Sequence, residues 1–527
     1  MNNLFAKIAI DQIPKILTLL DRNQHSPTYG CFDRNYWHYK IIDFPSGMAQ
    51  EFVLPLALAY SLDIPGNPYY RERILRDWVH AGIRFAAQSA HSDGSCDDYF
   101  PYERAGGAAA FSLLACLYSY ELMQFDDAEL KEFFKRRATW LANHHESGRL
   151  TNHQALIVLC LLLTSSMLET KEWQENIRQR LEMVLDWQDE EGWFHEYEGC
   201  DPGYDTLTIS ILAWIYEIHP LPQIRQALKK AVQFVSYFVH PDGSFGGEYT
   251  SRNTYNFFPH GFELVGKWLP EATVVNDRII SGLEKGLQSC SADDHIIGHH
   301  NWNYLLAWRD YIDERPEPDL NLPEGRTWFP HARLLIERHG ESVLYVALNK
   351  GGVFKLFRNG RLVASDTQFT VKMKNGRNAV GHLVDDYDFS FADNGLTVQG
   401  SLGWAKQKQM STFKLIVLRL IMLSVGRFFP GMIRSLLQRM LITGKDTAPL
   451  KFKREMRWKV DRLEVEDYLI AKVWSDVKDI RIGTDQTSIY VAMSRTYQLG
   501  QLQEWIDLTS IDTNRRLDEP LHFKRFL

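Results

Sequence analysis

EEGWFHEYEGCDPGYDTLTISILAWIYEI, residues 190–218, carries a glycine-turned loop rich in acidic and aromatic side chains straight into a nearly all-apolar helix. A helix apolar all round has to be covered on every side by protein. The same loop-then-helix pattern recurs around Gly94 (92–122), Gly148 (146–163), Gly243 (241–269) and Gly298 (296–311). Successive glycines lie 54, 44, 51 and 55 residues apart. A looser copy starts near Gly30 and leads into MAQEFVLPLALAYSL (48–62). Between the copies run YRERILRDWVHAGIRFAAQ (70–88), LKEFFKRRATWLANHH (130–145), ENIRQRLEMVLDWQ (175–188) and QIRQALKKAVQFVSYFV (223–239). Their apolar residues recur at three- and four-residue spacing, which gives one buried face each. Two helices per repeat at this period mean stacked hairpins. Covered inner helices and one-faced outer helices favour a closed ring over an open solenoid. Every reactive loop precedes an inner helix, so the loops gather at one end of the ring.

Beyond Pro316 the pattern changes. EPDLNLPEGRTWFP (317–330) is a Pro-rich connection, and residues 341–373 show short β-branched and aromatic runs broken by KGG and RNGR turns. Alternation continues over 381–404 and returns over 479–499. These runs predict a domain over residues 1–315, a linker over 316–324, and a β-sandwich-like domain over 325–527. A basic helical insertion is read over about 406–454, where 11 Lys or Arg accompany one acid, Asp446.

The chain of 527 residues has a net charge of −7, which argues against a nucleic-acid partner. Aromatic residues reach 13%, with 15 Trp, suiting either sugar stacking or a large helical core. Six scattered cysteines form no CxxC pair, and the first 24 residues read as an amphipathic helix and not a signal peptide. A cytoplasmic location is the expectation. Within the insertion, residues 413–442 alternate apolar stretches with Arg, and no 18-residue stretch is free of charge. Such a segment is expected to lie on a membrane surface, on its inner face, instead of spanning it.

Reactive side chains cluster at the loop–helix junctions: Asn152-His153, Tyr204, then Arg252, Asn253, Tyr255 and His260, then His299-His300. Acids crowd two of the same loops, as Glu196, Glu198, Asp201 and Asp205, and as Asp97, Asp98 and Glu103, the latter followed by Arg104. β-Elimination from a uronate needs three things: a donor that neutralises the carboxylate, a base for the C5 proton, and an acid for the leaving oxygen. Asn, His, Tyr and Arg supply that set.

Asn-His at the head of one apolar helix, and GYD at the head of the next about 50 residues later, resemble the heparinase II/III and alginate lyase group. In that family an incomplete α/α-toroid precedes an antiparallel β-domain, so the fold class is multidomain α+β, an incomplete α/α-toroid followed by an antiparallel β-sandwich-like domain. The resemblance implies that Asn152 binds the carboxylate, that His153 assists or is the base, and that Tyr204 is the acid or acid/base. The family also supplies a β-domain His within a His-x-His-like stretch. Here His331, His339 and His382 stand apart, so His260 is the expected third catalytic group, with His299 as the other candidate. Arg252, Asn253, Tyr255, His299, His300, Asp205 and Arg104 complete the expected substrate-binding set.

The function expected is cleavage of a uronic-acid-containing polysaccharide or oligosaccharide, lipid-linked or nascent, in surface-polysaccharide metabolism. A uronate C5-epimerase shares the same carbanion. A toroid glycoside hydrolase would rest on Asp205, Asp98 or Glu248. A glycan-binding toroid without chemistry is the fourth reading. No HxH spacing occurs and the one HxxxH, His295–His299, has no further ligand pattern beside it, so neither a metal nor a cofactor is expected.

Overall fold

The computed structural model describes residues 3–527 except 147, 197–198, 317–322, 406–408, 410, 430, 434–445, 461, 486–492 and 510–518. Six helical hairpins come first. Their outer helices are α1 (Asn3–Leu19), α4 (Arg73–Ser89), α6 (Ala128–Asn143), α8 (Gln174–Asp186), α10 (Pro222–Ser236) and α12 (Glu271–Glu284); a single turn, α2 (Arg34–Trp37), follows α1. The inner helices are α3 (Val53–Ser61), α5 (Gly106–Leu122), α7 (Thr151–Met167), α9 (Pro202–Ile218), α11 (His260–Gly266) and α13 (Ile297–Arg309). Each inner helix packs on the next, and α13 packs back on α3, so the six form a ring. This is an α/α-toroid.

The glycine repeat has a steric cause. Gly192, at φ +110°, lies so close to α10 that a Cβ would stand 2.5 Å from the Lys230 carbonyl oxygen. Gly243, at φ +90°, meets the Gly282 nitrogen of α12 at 2.5 Å in the same way. At Gly94, Gly192 and Gly243 the loop backbone thus crosses the next outer helix at a distance that excludes a side chain, whereas Gly298, read as a loop glycine, lies in α13 and faces Glu51.

Helix α11 has only seven residues, whereas α5, α7 and α9 have 17. The chain before it, residues 246–259, is buried throughout and takes the place of the missing turns inside the ring.

The second domain has two antiparallel sheets. The first runs in chain order: β1 (Gly325–Phe329), β2 (Leu334–His339), β3 (Ser342–Ala347), β4 (Val353–Arg358), β5 (Arg361–Asp366). The second comprises β6 (Phe369–Met373), β7 (Asn378–Val380), β8 (Asp388–Ala392), β9 (Gly395–Trp404), β10 (Thr447–Lys459), β11 (Arg462–Ala471), β12 (Val477–Ile482), β13 (Ile506–Asp507) and β14 (Leu521–Phe526). Its order is β13-β12-β6-β7-β9-β10-β11-β14, with β8 on β9. The first sheet is covered on both faces. Leu344, Val346, Phe354 and Leu356 join the core of the second sheet, while Val343, Tyr345, Ala347 and Phe357 join the core of the helical ring. Period-two alternation therefore splits one sheet between two cores.

Helix α14 (Thr412–Ile421) and a π-helical turn (Met422–Gly426) occupy the described part of the insertion. Residues 447–454, read from their basic content as part of that helical segment, instead begin β10. Ala448, Leu450, Phe452 and Arg454 alternate inward while Lys451 points to solvent, a strand period that the run of cations obscured. Residues 430 and 434–442 of the expected membrane segment, 486–492 of the last expected strand run, 317–322 of the linker, and Glu198 lie outside the described residues.

Candidate active site

The heads of α7, α9 and α13 carry the polar groups of the site. At the head of α7, Asn152 is buried, and its backbone N–H and its Nδ2 both donate to Oε1 of Glu196, at 3.0 and 2.8 Å. Thr151 donates from Oγ1 to the His195 carbonyl at 2.6 Å, so residues 195–196 seal the helix end. Burial lifts the Glu196 carboxyl to about 7, against the hydrogen bonds from Asn152 that favour its charge. His153, next along α7, holds Nδ1 2.7 Å from Oε2 of Glu146. Its side chain is about one-fifth exposed, whereas that of Glu146 is almost wholly buried. Gly107 of α5 makes room for the ring: a Cβ there would stand 2.5 Å from His153 Cε1.

At the head of α9, Asp201 caps the helix and ties it to the central loop. Its Oδ1 accepts from the backbone N–H of Gly203 and Tyr204, and from Thr254 Oγ1. Its Oδ2 accepts from Thr250 Oγ1 at 2.8 Å and from the Arg252 backbone N–H at 2.9 Å. Tyr204 is half-buried in the first turn of α9, which packs against α7, so Tyr204 and His153 stand on the opening turns of adjacent helices. Asp205 points the other way. It is fully buried, its Oδ1 accepts the Phe194 N–H at 3.0 Å, and burial raises it well above the usual carboxylate range.

Across the ring, His299 of α13 holds Nδ1 3.1 Å from Oε2 of Glu51, whose Oε1 accepts the Trp302 indole N–H at 2.7 Å. The Phe111 ring lies between the two histidines, with centroids 4.9 Å from His299 and 6.3 Å from His153. His300 stacks at a tilt on Phe258, 4.5 Å away, and burial pushes it down to about 3. His299 and His300 are both buried, so they form the wall of the site beneath Phe111 and Phe258.

The central loop is tied to the second domain. Buried Lys350 donates to the Glu248 carbonyl at 2.6 Å, the Thr250 carbonyl at 2.8 Å and Asn253 Oδ1 at 2.6 Å, and burial lowers it to about 7. Asn253 sits at φ +57°. Lys355 pairs with Glu248 at 2.9 Å, Glu248 accepts from the Tyr255 hydroxyl, and Gln501 donates to that hydroxyl at 2.8 Å. Arg252 donates from Nη2 to the Glu196 carbonyl at 3.1 Å. Of the expected substrate-binding residues, Arg252 thus stands beside Asn152 on Glu196, while Asn253 and Tyr255 are engaged in the contact between domains.

Two expected residues are placed elsewhere. His260 is buried, with Nε2 2.8 Å from Asp310 Oδ2 and its ring edge-on to Trp214 at 5.7 Å. Trp214 lies ten residues along α9 from Tyr204, about 15 Å at helical rise. The structure therefore does not bring His260 to the mouth: α11 starts late because residues 246–259 fill the ring. Burial lowers His260, and its partner Asp310 is held well below the usual carboxylate range. Arg104, at φ +53°, pairs with Asp93 at 2.7 Å on the loop before α5.

Glu146, Glu51 and Lys350 were missed from sequence. Glu51 leaves a trace, as a lone acid in the apolar run 48–62. Lys350 leaves none, since its partners lie about a hundred residues away. Among the described residues, one group has metal-ligating types close together: Asp189, Glu191 and His331. The Glu191 carboxylate already accepts the backbone N–H of His331 at 2.8 Å and of Ala332 at 3.0 Å, and the Trp193 indole N–H at 2.9 Å. That arrangement is a clamp between the domains.

No protein-family model and no curated protein matches the chain. Among solved structures it is similar to a Paenibacillus xanthan lyase, at a TM-score of 0.55 and 9% identity, over 90% of this chain and 46% of that one. It is also similar to the Streptomyces coelicolor A3 chondroitin AC lyase in complex with chondroitin sulphate, at 0.53 and 11%, over 92% and 68%. The chain thus spans about half the length of the xanthan lyase. At these identities the likeness is one of fold: a helical toroid followed by antiparallel sheets.

Proposed function

We propose that this chain is a polysaccharide lyase that cleaves a uronic-acid-containing polysaccharide by β-elimination. One observation carries the reading. On the opening turns of adjacent inner helices, a carboxylate-paired histidine (His153 with Glu146, 2.7 Å) stands beside a partly exposed tyrosine, Tyr204, with an oriented amide, Asn152, next to the histidine. Two proteins of similar fold are named as lyases of xanthan and chondroitin, which supports the reaction class.

In this reading Asn152 donates to the uronate carboxylate and Arg252 adds positive charge behind it, so that negative charge developing on C5 and the carboxylate is stabilised. Glu146 accepts from His153 Nδ1–H and leaves Nε2 as the base for the C5 proton. Tyr204 gives its proton to the glycosidic oxygen as the C4–O bond breaks and the C4=C5 bond forms. The polymer splits without water. The hydrolase reading is less well served, since Asp205 is buried against the Phe194 N–H and Glu248 is engaged by Lys355 and Tyr255. Lipid-linked or nascent polymer at the cytoplasmic face of a membrane is the substrate source we favour.

Mass spectrometry of products from defined uronate oligosaccharides tests the reaction class. Fragments whose masses sum to the substrate alone support elimination. Fragments heavier by one water in total would move the assignment to hydrolysis, and deuterium uptake from heavy water without fragmentation would move it to C5 epimerisation.

A further inference from the structure

Helix α14 and the turns after it present an apolar surface that the protein does not cover. No residue of α14 is buried, and Phe413 (75% exposed), Leu420 (62%), Leu423 (53%), Phe428 (73%) and Phe429 (60%) face solvent. Contiguous apolar exposure on this scale marks an interaction surface. Between Ser411 and Ile433 the sequence has Lys414, Arg419 and Arg427 and no acidic residue, in a chain whose net charge is −7. The segment is also held in a definite place. Ser411 caps α14, Arg419 pairs with Asp43 and lies over the Phe44 ring at 5.5 Å, and Arg427 lies over the Tyr102 ring at 5.3 Å. Asp43 and Phe44 precede α3, and Tyr102 precedes α5, so these contacts set α14 on the rim of the ring, at the end where Asn152, His153 and Tyr204 lie.

We infer that α14 and residues 422–429 seat the mouth of the ring on an anionic bilayer, lying in the plane of the interface. Apolar side chains of this length enter the headgroup–acyl boundary, and Lys414 meets anionic headgroups while Arg419 and Arg427 hold the segment to the ring. No helix among the described residues is long and apolar enough to cross a membrane, so the geometry is that of surface docking. A second copy of the chain would bring like charges together across the same patch and fits it less well. The inference is independent of the reaction class and adds an orientation: the site opens toward the lipid surface.

The test is vesicle flotation of the full chain with phosphatidylcholine vesicles, with and without phosphatidylglycerol, beside the double variant Leu420→Glu/Phe428→Glu. The wild type should float with the anionic vesicles, and recovery should fall by about tenfold or more with neutral vesicles and with the variant. Circular dichroism of the variant should match the wild type, since both positions are exposed. Equal recovery of the two proteins, or no flotation with anionic vesicles, overturns the inference. So does a wild-type dimer that the variant converts to monomer in light scattering while neither protein floats.

Discussion

His153 Nδ1 stands 2.7 Å from Oε2 of Glu146, seven residues earlier in the chain, and the carboxylate is almost wholly buried while the imidazole reaches the surface of the site. A buried carboxylate in that position holds the ring's orientation and favours a proton on Nδ1. Glu146→Gln keeps the shape but removes the charge that supports the developing imidazolium. Turnover should fall by about 100-fold with KM changed far less. Steady-state kinetics together with a melting curve check this; a loss in KM alone would place Glu146 in substrate binding.

Tyr204 is half-buried at the start of α9 and is the acid of the proposed mechanism. Tyr204→Phe should lower kcat by about a thousandfold and leave the melting temperature near that of the wild type. Activity within a few-fold of the wild type would remove Tyr204 from the chemistry.

His260→Asn should separate position from motif. The ring is buried against Asp310 and Trp214, so its loss should destabilise the toroid while kcat stays within about threefold of the wild type. Thermal melts and kinetics on the same preparation decide it. An unchanged melt with lost turnover would put His260 back among the catalytic groups.

Glu196 gives a pH signature. Its folded value, about 7, lies above that of an exposed carboxyl, so the folded state holds a proton that the unfolded chain releases. The stabilisation is fully present below the unfolded value, about 4.3, and is lost as pH rises through about 7, an effect of roughly 3 kcal/mol. Glu196→Gln should flatten the fall in melting temperature between those limits. Identical pH profiles for the two proteins would contradict the assignment.

Much of the fold was legible because it is periodic. Gly94, Gly192 and Gly243 mark where a loop crosses the next outer helix, and period-two runs marked both sheets. Asn152, His153 and Tyr204 open α7 and α9 as expected, because a polar group at the head of an apolar helix stands out. What the sequence hid depends on closure through space. Glu51 meets His299 only when α13 packs back on α3, and Lys350 meets Asn253 only when the second domain docks on residues 246–259. His260 misled because His-Gly at a helix start looks the same whether the helix begins at the mouth or deep in the ring. The cations over 447–454 hid a strand because charge was weighed there ahead of alternation.

The most direct test of the central claim follows ultraviolet absorbance of the unsaturated uronate as purified protein acts on a panel of uronic-acid polysaccharides, with His153→Ala and Tyr204→Phe run alongside. The account predicts that absorbance rises with at least one polymer and that either substitution abolishes the rise. New reducing ends without that absorbance, or a rise that survives both substitutions, would contradict it.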